Sequence, residues 1–211
     1  MAACLEPSAQ QLKEMSSEEL ARRSQDGCRA SFAELAERYA GPLLQFLAHR
    51  TNNIHDAEDL VQETFILAYK KIGRYRSSYK FSTWLFTIAR RLAASRSRAA
   101  ARRPVLGPCR RSSPQPQEMA ARREAAHGLW AAAGTLPLGQ YQVLRLRYAE
   151  QMSIKQIAKV MGKSRVGIRV LLYRARMELA EKLRAPAGEQ DAAERVSSKR
   201  GRAYTKKVEG L

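Results

Sequence analysis

The chain has 211 residues, of which 45% are hydrophobic, 27% charged and 7% aromatic. That is enough for one ordinary domain or two small ones with a linker, and too little for a large enzyme core. With 38 basic against 20 acidic residues the formal charge is +18, which favours a polyanionic partner, nucleic acid or an anionic membrane surface, over an acidic small substrate. No apolar run approaches the ~20 residues that cross a bilayer and no basic-then-hydrophobic leader opens the sequence, so a cytoplasmic protein without membrane insertion is expected. Cys4, Cys28 and Cys109 are odd in number and far apart, which suggests neither a disulfide framework nor a C-x-x-C metal site; reduced thiols are expected.

The charge changes sign along the chain. Residues 1–60 carry 6 basic and 10 acidic residues, residues 61–125 carry 15 and 3, residues 126–184 carry 11 and 3, and residues 185–211 carry 6 and 4. Such a switch points to two partners, one basic and one polyanionic, rather than to a uniformly solvated surface.

Strand signals are nearly absent, whereas apolar residues recur at spacings of three and four, so the fold class is all-α with two small helical domains. Residues 1–28 read as an N-terminal extension. Phe32, Leu35 and Tyr39 begin a periodic stretch that Gly41-Pro42 interrupts and Leu43, Phe46 and Leu47 resume, which predicts two short or kinked helices. From about Asp56 to Ile72, Leu60, Thr64, Leu67 and Ala68 form one stripe, with Asp56, Glu58 and Asp59 at the positive end of the helix dipole. A third helix from about Phe81 to Arg98 buries Phe81, Leu85, Ile88 and Leu92. These helices make a first domain over residues 29–98.

Residues 99–128 form a linker whose first part, with Pro104, Pro108, Pro114 and Pro116 among Arg and Ser, cannot bury enough apolar surface to offset the entropy of ordering. A second domain over residues 129–184 begins with a short helix, Leu129 to Ala133, breaks at Leu136-Pro137, and continues from Leu138 to Tyr148 with Tyr141, Leu144 and Tyr148 as core contacts. Pro186 and Gly188 end the last helix and open a basic, flexible tail, 185–211.

Within the second domain Ser153-Ile154-Lys155-Gln156 has the S-x-x-Q form of a capping box, Ile157, Ala158 and Met161 supply an apolar face, Gly162 suits a turn of positive φ, and Ser164 caps another helix. That sequence spells helix, turn, helix. Ile168 and Leu172 pack the second helix on the first, while Arg165, Arg169, Arg174 and Arg176 stay outside. In such a unit the second helix enters the major groove, which makes Arg165 and Arg169 the base-edge candidates. An ordinary helical hairpin with solvated arginines is the competing reading.

Between Gly73 and the third helix, Arg74, Tyr75, Arg76, Ser77, Ser78, Tyr79 and Lys80 alternate rings with cations and hydroxyls, with Phe81 and Trp84 following. Bases of a single strand stack on rings for about 1 to 3 kcal/mol each while Arg and Lys neutralise the backbone. Tyr75 and Tyr79 are the expected stacking platforms; Trp84 divides between core and platform, and Phe81 reads as core. Opening about ten base-pair steps costs roughly 14 kcal/mol, more than one or two captured bases return, so an opening role needs a larger machine docked to the chain.

The stretches Asp56-Ala57-Glu58-Asp59-Leu60-Val61-Gln62-Glu63-Thr64-Phe65 and Phe81-Ser82-Thr83-Trp84-Leu85, in that order before a helix-turn-helix, resemble regions 2 and 4 of bacterial RNA polymerase sigma factors of the extracytoplasmic-function (ECF) group. The resemblance implies a factor that binds core RNA polymerase, recognises −10 and −35 promoter elements and helps open the promoter. It implies that Asp59, Gln62, Glu63 and Ile66, which share one helical face, meet the β′ clamp helices, and that region 4 meets the β flap. The loop Arg74 to Lys80 with Trp84, Arg90 and Arg91 would contact the −10 element; Ser164, Arg165, Arg169, Tyr173, Arg174 and Arg176 would contact the −35 element. Leu171 and Arg91 stand where the family commonly has Arg and Asn. The resemblance also leaves room for an anti-sigma partner.

A conventional helix-turn-helix repressor is the main alternative, but it needs neither the Asp59-Gln62-Glu63 face nor the Arg-Tyr loop. No phosphate-binding glycine loop and no nucleophile with a base is present, and the pair His55 and Glu58, one turn apart, reads as a helix start, so no catalytic residue, metal or cofactor is expected.

Overall fold

A computed structural model describes residues 8–51, 53–101 and 122–184. The linker core, 102–121, and the tail, 185–211, lie outside the described residues. Among the described residues there is no strand, and no helix is long and apolar enough to cross a membrane.

Among the described residues nine α-helices run in chain order: α1 (Ala9–Glu14), α2 (Ser17–Gln25), α3 (Arg29–Ala48), α4 (Ile54–Lys70), α5 (Phe81–Ala101), α6 (Arg122–Gly134), α7 (Leu138–Leu144), α8 (Ile154–Met161) and α9 (Arg165–Arg184). Helix starts follow from local chemistry. Ser8 with Gln11 and Ser153 with Gln156 each form a complete capping box, and Asn53 accepts the Asp56 amide at 2.7 Å. Each side chain satisfies a donor that the first turn leaves free.

The first body is built by α3 against α2 and α4, and by α5 against α4. Its interior is formed by Leu20, Leu35, Leu43, Phe46, Leu47, Leu60, Phe81, Leu85 and Phe86, all but Leu60 fully buried. Phe46 meets Phe86 edge to face at 5.2 Å. Two expectations change here. Residues 9–14 and 17–25 are helical and bury Leu12, Leu20 and Ala21, so much of the N-terminal extension belongs to this body. Gly41-Pro42 does not divide the stretch into two short helices, since α3 is one 20-residue helix with Pro42 inside it. Proline removes one backbone hydrogen bond, but Leu35 before it and Leu43, Phe46 and Leu47 after it bury in the same core, and that packing holds the helix continuous.

The second body packs α6, α7 and α8 around α9. After Leu144 the helix widens into a π turn, Arg145–Ala149. Its extra residue shifts the register, so Tyr141 and Leu144 are buried as expected, but Leu146 turns inward and Tyr148 is 52% exposed. Helix α6 starts at Arg122, within the stretch read as linker, and is longer than the expected Leu129 to Ala133.

The two bodies touch. Helix α5 packs on α8, the Tyr141 hydroxyl donates to the Gln45 carbonyl at 3.1 Å, and His49 Nε2 lies 3.0 Å from the Leu136 carbonyl. Arg145, 7% exposed, donates to the Gln45 side-chain oxygen and places its guanidinium 4.6 Å from the Trp130 ring.

Candidate nucleic-acid and polymerase interfaces

The loop between α4 and α5 begins with a 3₁₀ turn, Ile72–Arg74, and is held from below by α2. Gln25 donates to the Ile72 and Tyr75 carbonyls at 2.9 and 2.8 Å, and the Glu18 carboxylate accepts the Phe81 amide at 3.0 Å, acting as a remote cap of α5. A charge-assisted bond to a free first-turn donor is stronger than a neutral one and suits the helix dipole. Neither Glu18 nor Gln25 stood out in the sequence.

Upon this base Arg74, Tyr75, Arg76, Tyr79 and Trp84 line one cleft of about 150 Å³, with Lys159 of α8 as its sixth wall. Ser77, Ser78 and Lys80 are exposed beside it. Tyr79 is 48% exposed and offers a ring face. Tyr75 corrects the sequence reading: it is 5% exposed, its ring lies 5.6 Å from Phe81 and 5.5 Å from Trp84, and its hydroxyl donates to the Tyr79 carbonyl at 2.7 Å. Burial first, then the Glu18 carboxylate and Tyr39, push the Tyr75 phenol up to about 12, so it remains a protonated donor. Tyr75 is thus the keel of the loop rather than an open platform. Trp84 is half-buried, with part of its surface in the cleft, and Phe81 is core as expected.

The Lys159 ammonium sits 3.0 Å from the centroid of the Tyr79 ring. A cation on a ring face excludes a base from that face. Arg90, half-buried, and Arg91, exposed, follow on α5 away from the cleft. A Cβ added at Gly162, the left-handed cap of α8 at φ +59°, would lie 3.5 Å from Arg90 Nη1. Burial, with Arg91 alongside, lowers Arg90 below the ordinary guanidinium value.

On α4, Ala57, Leu60, Val61, Thr64 and Ala68 face the core, which leaves Asp59, Gln62, Glu63 and Ile66 exposed on the far side, Ile66 by 54%. Arg96 of α5 reaches Asp59 at 3.7 Å and Glu63 at 3.8 Å. Exposed pairs of this length contribute at most about 1 kcal/mol, so they leave the carboxylates available to a partner. His55 and Glu58 pair at 3.3 Å in the first turn of α4 as an exposed one-turn neighbour pair. No group of three or more His, Cys, Asp or Glu side chains suited to a metal occurs among the described residues.

In the second body Ser164 accepts the Gly167 amide at 3.0 Å and starts α9, whose Ile168, Leu172 and Ala175 are buried. Arg165, Arg169, Tyr173, Arg174 and Arg176 are all exposed. Arg176 donates to the Tyr148 hydroxyl at 2.7 Å, a partner the expected buried Tyr148 had hidden. Leu171 is half-buried against the core. A separate apolar groove of about 280 Å³ lies between α6, α7 and α9, walled by Leu129, Trp130, Leu144, Leu179 and Leu183 among others.

Residues 35–103 match the family model of sigma-70 region 2, and residues 127–179 match that of sigma-70 region 4. The ECF RNA polymerase sigma factor BldN of Streptomyces coelicolor is 30% identical over 171 residues, which cover 78% of this chain and 65% of BldN. Among solved structures, CnrH in complex with the cytosolic domain of CnrY superposes with a TM-score of 0.57 at 25% identity, covering 79% of this chain and 96% of CnrH. The sigma factor RpoE of Bartonella quintana, in complex with the anti-sigma factor NepR, shares the fold with a TM-score of 0.58 at 23% identity, over 72% of this chain and 98% of RpoE. A region 2 that carries the loop and the exposed α4 face, followed by a region 4 with its helix-turn-helix, makes this chain a member of the sigma-70 family, in its ECF group.

Proposed function

We propose that the chain binds core RNA polymerase and directs promoter-specific initiation, with α4 docking the β′ clamp helices, the Tyr79 cleft taking a base of the −10 element and α9 reading the −35 element in duplex form. The observation that carries this is the convergence of Arg74, Arg76, Tyr79 and Trp84 on one cleft beside the strand-facing loop. A duplex-binding repressor has no use for a ring within reach of cations in a concavity. Ring and guanidinium together supply stacking and phosphate neutralisation for an unpaired base, and the polymerase supplies the rest of the opening energy.

The exposed carboxylates of Asp59 and Glu63 around Ile66 give α4 an acidic rim with an apolar centre, suited to a basic helical partner. The groove between α6, α7 and α9 suits an apolar segment of the β flap. The complex of RpoE with NepR supports a partner of the anti-sigma class for this chain also. The chain acts in the cytoplasm, where polymerase and promoter are, and contributes binding and strand capture without catalysis of its own.

Run-off transcription with core polymerase tests the reading. Asp59→Ala, at an exposed position, should leave the thermal midpoint unchanged and weaken core binding by about 1 kcal/mol or more, the scale of a contributing interface residue. Equal core affinity for Asp59→Ala and wild type removes α4 from the docking site. Failure of the wild-type chain to bind core, with duplex binding retained, returns the protein to the class of plain regulators.

A further inference from the structure

The outward side of α9 is apolar where a solvated helix would be polar. Val166 is 66% exposed, Val170 43%, Tyr173 64% and Met177 57%. Their spacing of four, three and four places them on one stripe. At about 100° per residue that stripe points almost directly away from the stripe of Ile168, Leu172 and Ala175 that packs the helix down. The arginines fall to the sides, with Arg165, Arg169 and Arg176 along one flank and Arg174 along the other. No acidic residue lies on α9 before Glu178. Valine also costs the helix some propensity relative to alanine, so local stability does not account for Val166 and Val170.

An apolar ridge bordered by cations on both flanks has one complementary shape in a promoter. The major groove, about 12 Å across, admits a helix of about 10–12 Å diameter; its walls are phosphates and the apolar groups on its floor are the C5-methyl groups of thymine. We propose that Val166 and Val170 are specificity-determining residues that recognise thymine methyl groups in the −35 element, while the flanking arginines hold phosphates and guanine edges. The inference rests on the assignment of α9 to duplex recognition. It adds a requirement that the arginines alone do not impose: the upstream element contains thymines at the steps facing the first two turns of α9. A protein partner for this ridge is disfavoured by the arginines that flank it, which suit phosphate walls better than an apolar helix.

The test uses the full chain with core polymerase and a random duplex library for selection of bound sites. The enriched upstream element is then resynthesised with deoxyuridine in place of each thymine in turn, which deletes one methyl group and preserves every hydrogen-bonding edge. Wild type should lose about fourfold in affinity at one or two thymines, the value of one buried methyl. Val170→Ala or Val166→Ala should be weaker on thymine and indifferent to deoxyuridine at the matching position, a coupling that a general loss of stability would not produce. Both valines are exposed and alanine favours helix, so the variants keep α9 folded. If no deoxyuridine changes affinity while Arg169→Ala still weakens binding, the methyl contact is wrong and α9 remains the reader. If Arg169→Ala and both valine variants bind the selected duplex as wild type does, the assignment of α9 fails, and the inference with it.

Discussion

The two surfaces proposed to meet DNA differ within one molecule. The α9 face is open: its arginines and apolar ridge stand clear of the first body, and the helix-turn-helix beneath is fixed by a capping box, a left-handed glycine and a serine cap. The cleft of the α4–α5 loop is shared with the second body, because α8 brings Lys159 onto one face of the Tyr79 ring and leaves the rest of that ring exposed. The difference fits what each surface is proposed to read. A duplex presents its edges without being altered, so its reader can be preformed, whereas a flipped base exists only after melting.

Loss of the reading side chains should divide this pair of surfaces most sharply. Arg169→Ala should weaken duplex binding by about 1–3 kcal/mol and leave capture of a single-stranded −10 oligonucleotide unchanged. Tyr79→Ala should do the reverse, by about 1–3 kcal/mol on the single strand, with open-complex yield falling in parallel. Fluorescence anisotropy with each DNA separates the two. A variant that weakens both equally removes the division. The loop's foundation comes next: Gln25→Ala deletes two hydrogen bonds to the Ile72 and Tyr75 carbonyls. It should cost about 1–2 kcal/mol in thermal unfolding and impair the single strand only.

Lys159→Ala tests the shared cleft itself. Removing a cation from an exposed ring releases about 0.5–1 kcal/mol, so single-strand affinity should rise a few fold. An unchanged or lowered affinity means that the lysine assists capture rather than blocking it. The smallest effect concerns Glu150, whose carboxyl is raised by burial against the opposing pull of Arg145. A carboxyl raised on folding stabilises the fold below its unfolded value and loses that contribution as pH rises through the folded one. Wild type should therefore lose a little stability from pH 4.5 upward, and Glu150→Gln should flatten that slope. A thermal melt series over pH reads it.

What the sequence revealed was mostly local chemistry. The capping box at Ser153, the glycine turn at Gly162 and the cap at Ser164 read correctly because each involves residues within four positions of one another. The same box at Ser8 with Gln11 gives no such signal in the sequence, since α1 buries only Leu12 and shows no apolar stripe. Four of the loop residues that line the cleft were legible as ring and cation alternating. Which tyrosine folds inward was not, because Tyr75 is placed by Phe81, Trp84 and a carbonyl that only the folded turn brings near. The π turn after Leu144 leaves periodicity intact on paper and rotates Tyr148 out in space. Lys159, Glu18 and Gln25 reach the loop across distances in sequence that no motif spans.

The caps and props supplied by α2 set the boundary of any transplant of the strand-reading module. A chimera cut where the region 2 match begins, at residue 35, would carry α5 without the carboxylate that caps it and the loop without its amide prop. The unit that can be exchanged between regulators begins near Ser8, two helices and the first turns of α3 earlier than family boundaries suggest, and a hybrid built to the shorter outline should read its promoter poorly for reasons unrelated to its chosen bases.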